Sequence, residues 1–307
     1  MSTQVRTTME YTMGRSREET QRLIQQAGLL DTFTAQLFAE AGIAPGMKVL
    51  DAGSGAGDVA LLTSRFVGPA GTVVGVDANP AILAVARQRC VQAGLAHGTF
   101  VEGDLRTARL DDDFDAVVGR NVLTYVPDPG QALRILADHV RPGGIIAFQD
   151  IELGPFTAYF RNGALGDLGA KLWSWMDEVF RRSGANPSMG FGLYRAFQEA
   201  GLGAPQMALH ALLGGAPDWW AGWEYSAGTY RSLLPLFEKY GDRDARGAGP
   251  GHAGRADACD GGGARPSGHR GAVRDGVGTH ISARGFARNP HTLIGSPRIF
   301  QVWAYRR

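Results

Sequence analysis

The fold of this chain is indicated by one glycine-rich stretch, Val49-Leu50-Asp51-Ala52-Gly53-Ser54-Gly55-Ala56-Gly57. Its apolar beginning predicts a strand over residues 48–52, and its three alternate glycines predict a tight turn into a helix. In such a turn, backbone N–H groups approach a ligand closely, and the helix N-terminus favours an anionic group. Three glycines are also typical of a turn that only packs a helix onto its sheet. Asp58 stands where a dinucleotide-binding fingerprint would need a glycine, and Asp51 precedes the first glycine by two residues.

The residues around this stretch alternate between short apolar runs and helical patterns. That rhythm predicts an α/β fold with a parallel sheet. Two helix starts are marked by a capping side chain before a proline, Asn79-Pro80 and Asp128-Pro129. The Arg141-Pro142-Gly143-Gly144 turn ends one helix and starts the fifth strand. The predicted strands are residues 48–52, 72–76, 99–101, 114–118, 144–148 and, near the end of the chain, 299–305.

Acidic residues follow the second and third predicted strands. Asp77 ends the second strand, where a carboxylate can accept hydrogen bonds from both hydroxyls of a ribose. The alternative role for Asp77 is to cap the next helix, but Asn79 already supplies that cap. Asp104 comes just after the third strand, and without the other motifs it would be interpreted as an ordinary loop aspartate.

The fourth strand and the residues after it carry a further signal, FDAVVGRNV over residues 114–122 and LTYVPDP over residues 123–129. With the earlier motifs, this pattern resembles the class I S-adenosylmethionine-dependent methyltransferases, in particular the ubiquinone and menaquinone C-methyltransferases and related bacterial small-molecule enzymes. The resemblance covers residues 46–152. It implies a Rossmann-like, seven-stranded, mostly parallel sheet with an N-terminal helical lid and a helical, aromatic substrate cover.

The resemblance also implies a cofactor, S-adenosyl-L-methionine, and a small-molecule acceptor. Asp104 would bind the adenine amino group, and Arg120 with Asn121 would lie beside the methionine part. The Asn/Asp-Pro-Pro-aromatic motif of many nucleobase-methylating enzymes is missing, so nucleic acid is not the expected substrate. The expected cofactor-binding residues are Tyr11, Asp51, Gly53, Ser54, Gly55, Asp77, Ala78, Asp104, Leu105, Arg120 and Asn121.

The flanking residues are divided by composition. The N-terminal apolar pattern predicts two short helices broken near Leu30-Asp31. Tyr11 resembles a lid tyrosine that covers the cofactor, although a surface tyrosine gives the same pattern, and Gln26 is a weaker candidate for the cofactor carboxylate. The predicted divisions are a lid (1–45), the cofactor-binding core (46–152), a cover containing the sixth strand (153–240), a Gly/Arg-rich segment (241–298) and the final strand (299–307).

The aromatic cover suggests walls for an acceptor, with Tyr159, Phe160, Trp173, Met176 and Trp223 as candidates; hydrophobic core is the other role for each. The Gly/Arg-rich segment has few large apolar residues, which predicts disorder. A flexible acquired loop and a shifted reading frame are the two origins that we consider for it.

Candidate bases or orienting groups for the acceptor are Gln149, Asp150 and Glu152, which follow the fifth strand at the ligand-binding edge. A hydroxyl acceptor would need a base, whereas an activated carbon or an amine needs little more than orientation. The sequence leaves the methylated atom open. Two other functions also remain open: a non-catalytic S-adenosylmethionine-binding protein and a nicotinamide-dependent oxidoreductase.

The composition limits the classes of partner. A formal net charge of +1 over 307 residues gives no electrostatic basis for binding nucleic acid or a membrane surface. Two cysteines and seven scattered histidines give no metal-ligand spacing, so we expect no metal. No apolar run approaches the ~18 residues that span a bilayer, so we expect no membrane insertion and a cytoplasmic protein. A homo-oligomer is compatible with the sequence.

Overall fold

The structure of the chain is a computed structural model. It describes residues 17–95, 98–108, 110, 113–153, 166–211, 213–215, 220–240, 293–295 and 298–307. Tyr11, Tyr159, Phe160, the side chain of Trp223 and most of the Gly/Arg-rich segment lie outside the described residues.

Helices and strands alternate along most of the described chain. The helices are α1 (Arg17–Ala41), α2 (Asp58–Val67), α3 (Pro80–Gln92), α4 (Pro129–Asp138), α5 (Gly166–Arg182), α6 (Met189–Glu199) and α7 (Trp220–Tyr240), with a 3₁₀ turn at Leu123–Tyr125. The strands are β1 (Lys48–Ala52), β2 (Thr72–Asp77), β3 (Gly98–Glu102), β4 (Phe114–Arg120), β5 (Val140–Glu152), β6 (Gln206–His210), β7 (Leu213–Gly215), β8 (Leu293–Gly295) and β9 (Arg298–Tyr305).

Seven strands form one sheet in the order β3-β2-β1-β4-β5-β9-β6. Strands β1 to β5 run parallel to one another, while β9 is antiparallel to both β5 and β6. This confirms the predicted Rossmann-like, seven-stranded, mostly parallel sheet. The strand order reverses between β1 and β4, and open α/β sheets bind ligands outside the carboxyl ends of the strands at such a reversal. A ligand site is therefore expected where β1 and β4 end.

Helices cover both faces of the sheet, and each face has its own hydrophobic core. On one face, which we call the α1 face, α1, α2 and α3 pack over residues that include Val118 and Ala147. On the other, the α6 face, α4 and α6 pack over residues that include Val117 and Phe148. Neighbouring residues of a strand point to opposite faces, so the register decides which core each side chain joins.

Helix α1 is continuous from Arg17 to Ala41, so the predicted break near Leu30-Asp31 is wrong. The buried stripe runs through Leu30, Thr34 and Leu37, which keeps helical spacing across the predicted break. Thr34 is a polar member of this stripe, and its hydroxyl oxygen lies 3.1 Å from the Leu30 carbonyl oxygen.

Strand β5 extends beyond the predicted 144–148 at both ends. It begins at Val140, which pairs with Phe114 of β4 before a register shift, so the prediction that the Arg141–Gly144 turn precedes the strand is wrong. It continues to Glu152 because β9 pairs with it from Ile145 to Glu152. The three candidate residues Gln149, Asp150 and Glu152 therefore lie within the strand rather than after it. The final strand begins at Arg298, and Leu293–Gly295 forms a further strand that pairs with Leu213–Gly215. Leu293–Gly295 and Arg298 lie in the predicted Gly/Arg-rich segment (241–298), whose other residues are outside the described part.

Helices α3 and α4 begin at the capping residues predicted from the sequence. Asn79 Oδ1 accepts a hydrogen bond from the N–H of Ala81, and Asp128 Oδ1 accepts one from the N–H of Gln131. Both predicted caps are confirmed.

The glycine turn after β1 depends on Gly53. Its φ of 68° lies in the left-handed region, and a Cβ atom built at this residue would overlap Cγ2 of Val122. Because Val122 follows β4, the absence of a side chain at Gly53 allows the ends of β1 and β4 to approach each other closely.

We expect Gly53→Ala to destabilise the protein more than Gly46→Ala. Both glycines have positive φ, but a Cβ atom at Gly46 meets nothing within 4 Å. Both variants should lose about 1–2 kcal/mol from left-handed strain, and overlap with Val122 should cost Gly53→Ala roughly 1–3 kcal/mol more. Urea unfolding without added ligand measures the difference. Equal losses would contradict the close approach at Gly53.

Candidate active site

Four polar residues form a row at the carboxyl edge of the parallel strands, on the α1 face. They are Asp51 of β1, Arg120 of β4, Gln149 of β5 and Gln301 of β9. Arg120 is in register with Gln149, and Gln149 with Gln301, so these three side chains share a face. Asp51 is in register with Val118, two residues before Arg120, and therefore points the same way. We call these four residues the polar row.

The polar row is removed from solvent. Asp51, Gln149 and Gln301 are 0% exposed, and the Arg120 side chain is 7% exposed. Burying polar and charged groups is costly unless they have partners. The partners of the row therefore decide what it can bind.

Helix α1 supplies some of those partners. Arg120 Nη1 donates to Asp31 Oδ1 at 2.9 Å and to Thr34 Oγ1 at 3.0 Å. Thr34 Oγ1 also lies 3.3 Å from Gln149 Oε1, and Gln301 Nε2 donates to the Phe33 carbonyl oxygen at 2.7 Å. The helix assigned to the lid is thus fixed to the sheet by one turn, residues 31–34, through two side chains and a backbone carbonyl group.

Gln301 sets the orientation of Gln149. Its Nε2 donates to Gln149 Oε1 at 2.9 Å as well as to Phe33, and its Oε1 lies 3.0 Å from Nε2 of His210. With both Gln301 hydrogens directed to acceptors, Gln149 presents its oxygen to Gln301. The Gln149 amide nitrogen therefore points elsewhere, and His210 has a structural role.

Several atoms of the row have no hydrogen-bond partner within the described part of the chain. They are both carboxylate oxygens of Asp51 and Nε2 of Gln149. Buried polar atoms in native proteins nearly always have partners, so this set indicates a polar ligand at the carboxyl edge. Burial raises the pKa of Asp51 well above its usual range, and the charge of Arg120 acts in the opposite direction.

Two more such atoms lie beside the row, Ser54 Oγ in the glycine turn and Asn121 Oδ1 directly after β4. Asn121 has a φ of 54°, and its N–H donates to the Gln149 carbonyl oxygen at 2.8 Å. Asp77 fixes the turn from β2, because its Oδ2 accepts from the Gly55 N–H at 3.0 Å and its Oδ1 from the Asn79 N–H at 2.9 Å. Ala78 follows on the surface.

Asp104 lies after β3 and is engaged by Arg106. Its Oδ1 accepts from Arg106 Nε at 2.9 Å and its Oδ2 from Arg106 Nη2 at 2.7 Å. The hydrogen bonds from Arg106 hold the pKa of this carboxyl below its ordinary value. The neighbouring Leu105 packs against the core of the α6 face.

Side chains alternate between the two faces of the sheet along β5, so Gln149 points to one face and Asp150 and Glu152 point to the other. Gln149 belongs to the polar row on the α1 face. Glu152 accepts from the Phe191 N–H at 3.1 Å, at the first turn of α6, and is 0% exposed. Asp150 Oδ1 accepts from Thr124 Oγ1 at 2.8 Å, whereas its Oδ2 has no partner among the described residues. Burial, partly offset by the bonds from the 3₁₀ turn, raises the pKa of Asp150 to about 7.

The cover packs next to this edge. Trp173 Nε1 of α5 donates to the Leu153 carbonyl oxygen at 2.6 Å, immediately after β5. Trp173 and Met176, both candidate wall residues, are buried in a cluster with Phe180 and Phe237. In this structure they form the hydrophobic core of the cover.

Sequence reasoning missed four contacts at the site. Asp31 and Thr34 lie on α1, Gln301 lies on β9, and Arg106 follows Asp104 by two residues. Only the Arg106 contact could be predicted from nearby sequence, since an arginine two residues after an aspartate can bind its carboxylate. Gln26, the weaker candidate, is buried on α1, and Tyr11 lies outside the described residues.

The described residues contain no group of three or more His, Cys, Asp or Glu side chains placed to hold a metal ion. None of the helices described is both long enough and apolar enough to cross a membrane.

This geometry defines an α/β protein with buried polar atoms that lack partners among the described residues at the carboxyl edge of its sheet, and comparison with known proteins gives its family. The family model for a methyltransferase domain matches residues 43–201, more than half of the chain. The chain therefore belongs to the methyltransferase domain family. Membership confirms the predicted class, S-adenosylmethionine-dependent methyltransferases, and its cofactor, S-adenosyl-L-methionine.

Individual relatives extend this comparison. An arsenite methyltransferase of Aquipseudomonas alcaligenes is 30% identical over 230 residues, which cover 68% of this chain and 62% of the relative. A demethylmenaquinone methyltransferase of Listeria monocytogenes is 31% identical over 184 residues, covering 56% of this chain and 75% of the relative. A crystal structure of a putative methyltransferase of Bacillus halodurans matches the fold with a TM-score of 0.53 at 16% identity, covering 89% of this chain and 97% of that one.

We expect Asp51→Asn to stabilise the protein without ligand at pH 8. Asp51 has a raised pKa when folded, so the stability it contributes is present below its unfolded pKa and is lost as pH rises. Removing the buried charge should therefore flatten the fall in thermal midpoint between pH 4 and pH 8.

The matched control is Asp115→Asn at the opposite edge of the sheet. Burial acts to raise the pKa of Asp115, but its bonds to Arg141 and to the Lys48 N–H outweigh burial and hold the pKa below its usual value. Its contribution is therefore present above the unfolded pKa, and Asp115→Asn should lower the midpoint at pH 8. Scanning calorimetry measures both; a midpoint lowered by Asp51→Asn would contradict the assignment of Asp51 as a destabilising group.

Proposed function

We propose that this protein transfers the methyl group of S-adenosyl-L-methionine to a small organic acceptor. The observation that carries the proposal is the polar row, because its partnerless atoms match the two charged ends of an amino acid. Asp51 offers acceptors for an α-ammonium group. Gln149 Nε2 and the charge of Arg120 suit an α-carboxylate. The methionine part of the cofactor carries both groups.

The adenosine part would extend from the glycine turn toward β3. Asp77 can accept from ribose hydroxyls in addition to its backbone N–H bonds, because each carboxylate oxygen has two lone-pair sites. Asp104 is held by Arg106 in a fixed orientation, which suits an acceptor for the adenine amino group. The proposed contacts are Tyr11, Asp51, Gly53, Ser54, Gly55, Asp77, Ala78, Asp104, Leu105, Arg120 and Asn121.

When bound, the cofactor supplies an electrophilic methyl group on a sulfonium. The residues of this chain then need to hold the acceptor in line with that methyl group and to exclude water. Such positioning can contribute ~7–11 kcal/mol to the rate of a two-reactant step. The cover, whose core is the cluster around Trp173 and Phe180, supports this role because it packs next to this edge of the sheet.

An organic acceptor is favoured over arsenite by the thiols of the chain. Trivalent arsenic is a soft centre, and soft centres prefer thiolate ligands. The chain has two cysteines, and Cys90 is buried in the core of the α1 face. Burial raises the pKa of the Cys90 thiol, which disfavours the thiolate. Cys259 alone would be left to bind arsenic.

Calorimetry tests the cofactor part of the proposal. S-adenosyl-L-methionine should bind, and NAD should not. Asp77→Asn should weaken binding by about 1.5–3 kcal/mol, roughly 10- to 150-fold in Kd, because hydrogen bonds to a charged acceptor are lost. Asp115→Asn, a carboxylate-to-amide change at the other edge, should leave the Kd unchanged. Binding of NAD alone would favour the oxidoreductase alternative.

Transfer of a labelled methyl group tests the enzymatic part. Quinols, phenols and amines with an aromatic ring should include acceptors, and transfer should stop when the cofactor is omitted. Tight cofactor binding without transfer to any of them would favour the non-catalytic alternative.

A further inference from the structure

We propose that Asp150 of β5 accepts the proton that the methyl acceptor loses, so that the acceptor is methylated at an atom that bears an ionisable hydrogen, above all a phenolic hydroxyl. This inference rests on the proposed methyl transfer. It adds a catalytic residue and a substrate class to that proposal.

The geometry of the Asp150 carboxyl group is asymmetric. Oδ1 accepts from Thr124 Oγ1 at 2.8 Å, and Oδ2 is buried without a partner among the described residues. Asp150 itself is 0% exposed. One oxygen is therefore fixed, while the other keeps its full capacity to take a proton from a ligand.

The structural carboxylate at the other edge of the sheet looks different. Asp115 binds Arg141 through Oδ1 and the Lys48 N–H through Oδ2. A carboxylate that only anchors a turn gains from using both oxygens, so the partnerless Oδ2 of Asp150 indicates a ligand rather than an anchor.

The turn that orients Asp150 is itself held by the cover. Thr124 lies in the 3₁₀ turn after β4, and its carbonyl oxygen accepts from the Asn186 N–H at 2.8 Å. Asn186 and Pro187 lie between α5 and α6. The Leu153 N–H donates to the Pro187 carbonyl oxygen at 2.8 Å. Asp150 is thus positioned where the sheet edge meets the helices of the cover.

Charged groups on the neighbouring helix α5 pair with each other. Arg181 binds Asp177, which is the main cause of its raised pKa, with the charge of Glu152 a smaller one. Arg298 of β9 is in register with Glu152. Besides Asp150, the titratable and charged side chains described on the 3₁₀ turn, β5, α5, α6 and β9 are Tyr125; Arg141 and Glu152; Asp177, Glu178, Arg181 and Arg182; Tyr194, Arg195 and Glu199; and Arg298 and Tyr305.

Arg195 and Glu199 bind each other on the exposed side of α6.

Burial is the main cause that raises the pKa of Asp150 to about 7, and the hydrogen bonds from Thr124 and Leu123 act against it. A base whose pKa lies near the working pH is well matched to proton transfer.

The step balances in atoms and charge. The acceptor oxygen forms a bond to the methyl carbon while the carbon–sulfur bond breaks and its electron pair stays on sulfur. The hydroxyl proton moves to Asp150 Oδ2. The sulfonium becomes a neutral thioether, and the carboxylate becomes a neutral carboxylic acid, so no oxidant or reductant is needed.

The pH dependence of single-turnover transfer to hydroquinone and catechol tests the inference. In the full chain, the rate should rise with pH through about 7 as Asp150 ionises. Asp150→Asn should lower the rate at pH 8 by roughly 10²- to 10⁴-fold and remove this rise. Asp115→Asn is the matched control and should keep the wild-type profile.

Thr124→Val separates a proton acceptor from a structural anchor. Loss of the Thr124 hydrogen bond removes a stabiliser of the ionised carboxylate, so the rise in rate should move to higher pH. A role in anchoring the turn would lower stability in both variants and leave the pH profile of transfer unchanged. That result, or equal transfer to the tertiary amine N,N-dimethylaniline with the same pH rise, would overturn the inference.

Infrared titration gives a readout that does not depend on turnover. A carboxylic-acid carbonyl band that disappears near pH 7, and that Asp150→Asn lacks, should shift when hydroquinone is added with S-adenosylhomocysteine. An unshifted band would overturn the inference even where no transfer is detected. Failure of S-adenosyl-L-methionine to bind would instead overturn the proposed function, so the two failures are distinguishable.

Discussion

The polar row is the feature on which the rest of this structure depends. Four buried polar residues on neighbouring strands leave the carboxyl edge of the sheet without an apolar surface for a helix to cover. Helix α1 can pack there only because Asp31, Thr34 and the Phe33 carbonyl group meet the row with hydrogen bonds. Helix α7 packs in turn against α1, so the position of the outer helix follows from the same contacts.

The carboxylates at the two edges of the sheet differ in their hydrogen-bond partners and in their pKa values. At the amino edge, Asp115 is fully paired and its pKa is lowered, so its ionised form stabilises the fold. Near the carboxyl edge, Asp51 and Asp150 are buried, each has at least one oxygen without a partner among the described residues, and burial raises the pKa of both. Folding alone gives no reason to keep such groups. The edge at which α/β sheets bind ligands is therefore also the edge where this chain keeps destabilising charge.

Much of this could be predicted from the sequence, because strand periods, proline-marked helix starts and glycine turns are local signals. They located the first four parallel strands and the two caps at Asn79 and Asp128. The rest depends on contacts between distant segments. Thr34 of α1 is polar in sequence, and its burial follows from its contacts with the row, which a local pattern does not contain. The length of β5 is set by pairing with β9, about 150 residues later in the chain.

The alternation of β5 organises the proposed chemistry. Gln149 points to the α1 face, where the row would hold the amino-acid end of the cofactor, and Asp150 points to the α6 face, beside the cover. A shift of one residue of β5 against both of its neighbours would exchange these two side chains. The register of β5 with β4 and β9 therefore fixes which of two adjacent residues would serve the methyl donor and which the acceptor in the proposed reaction. That division cannot be read from the order Gln-Asp alone.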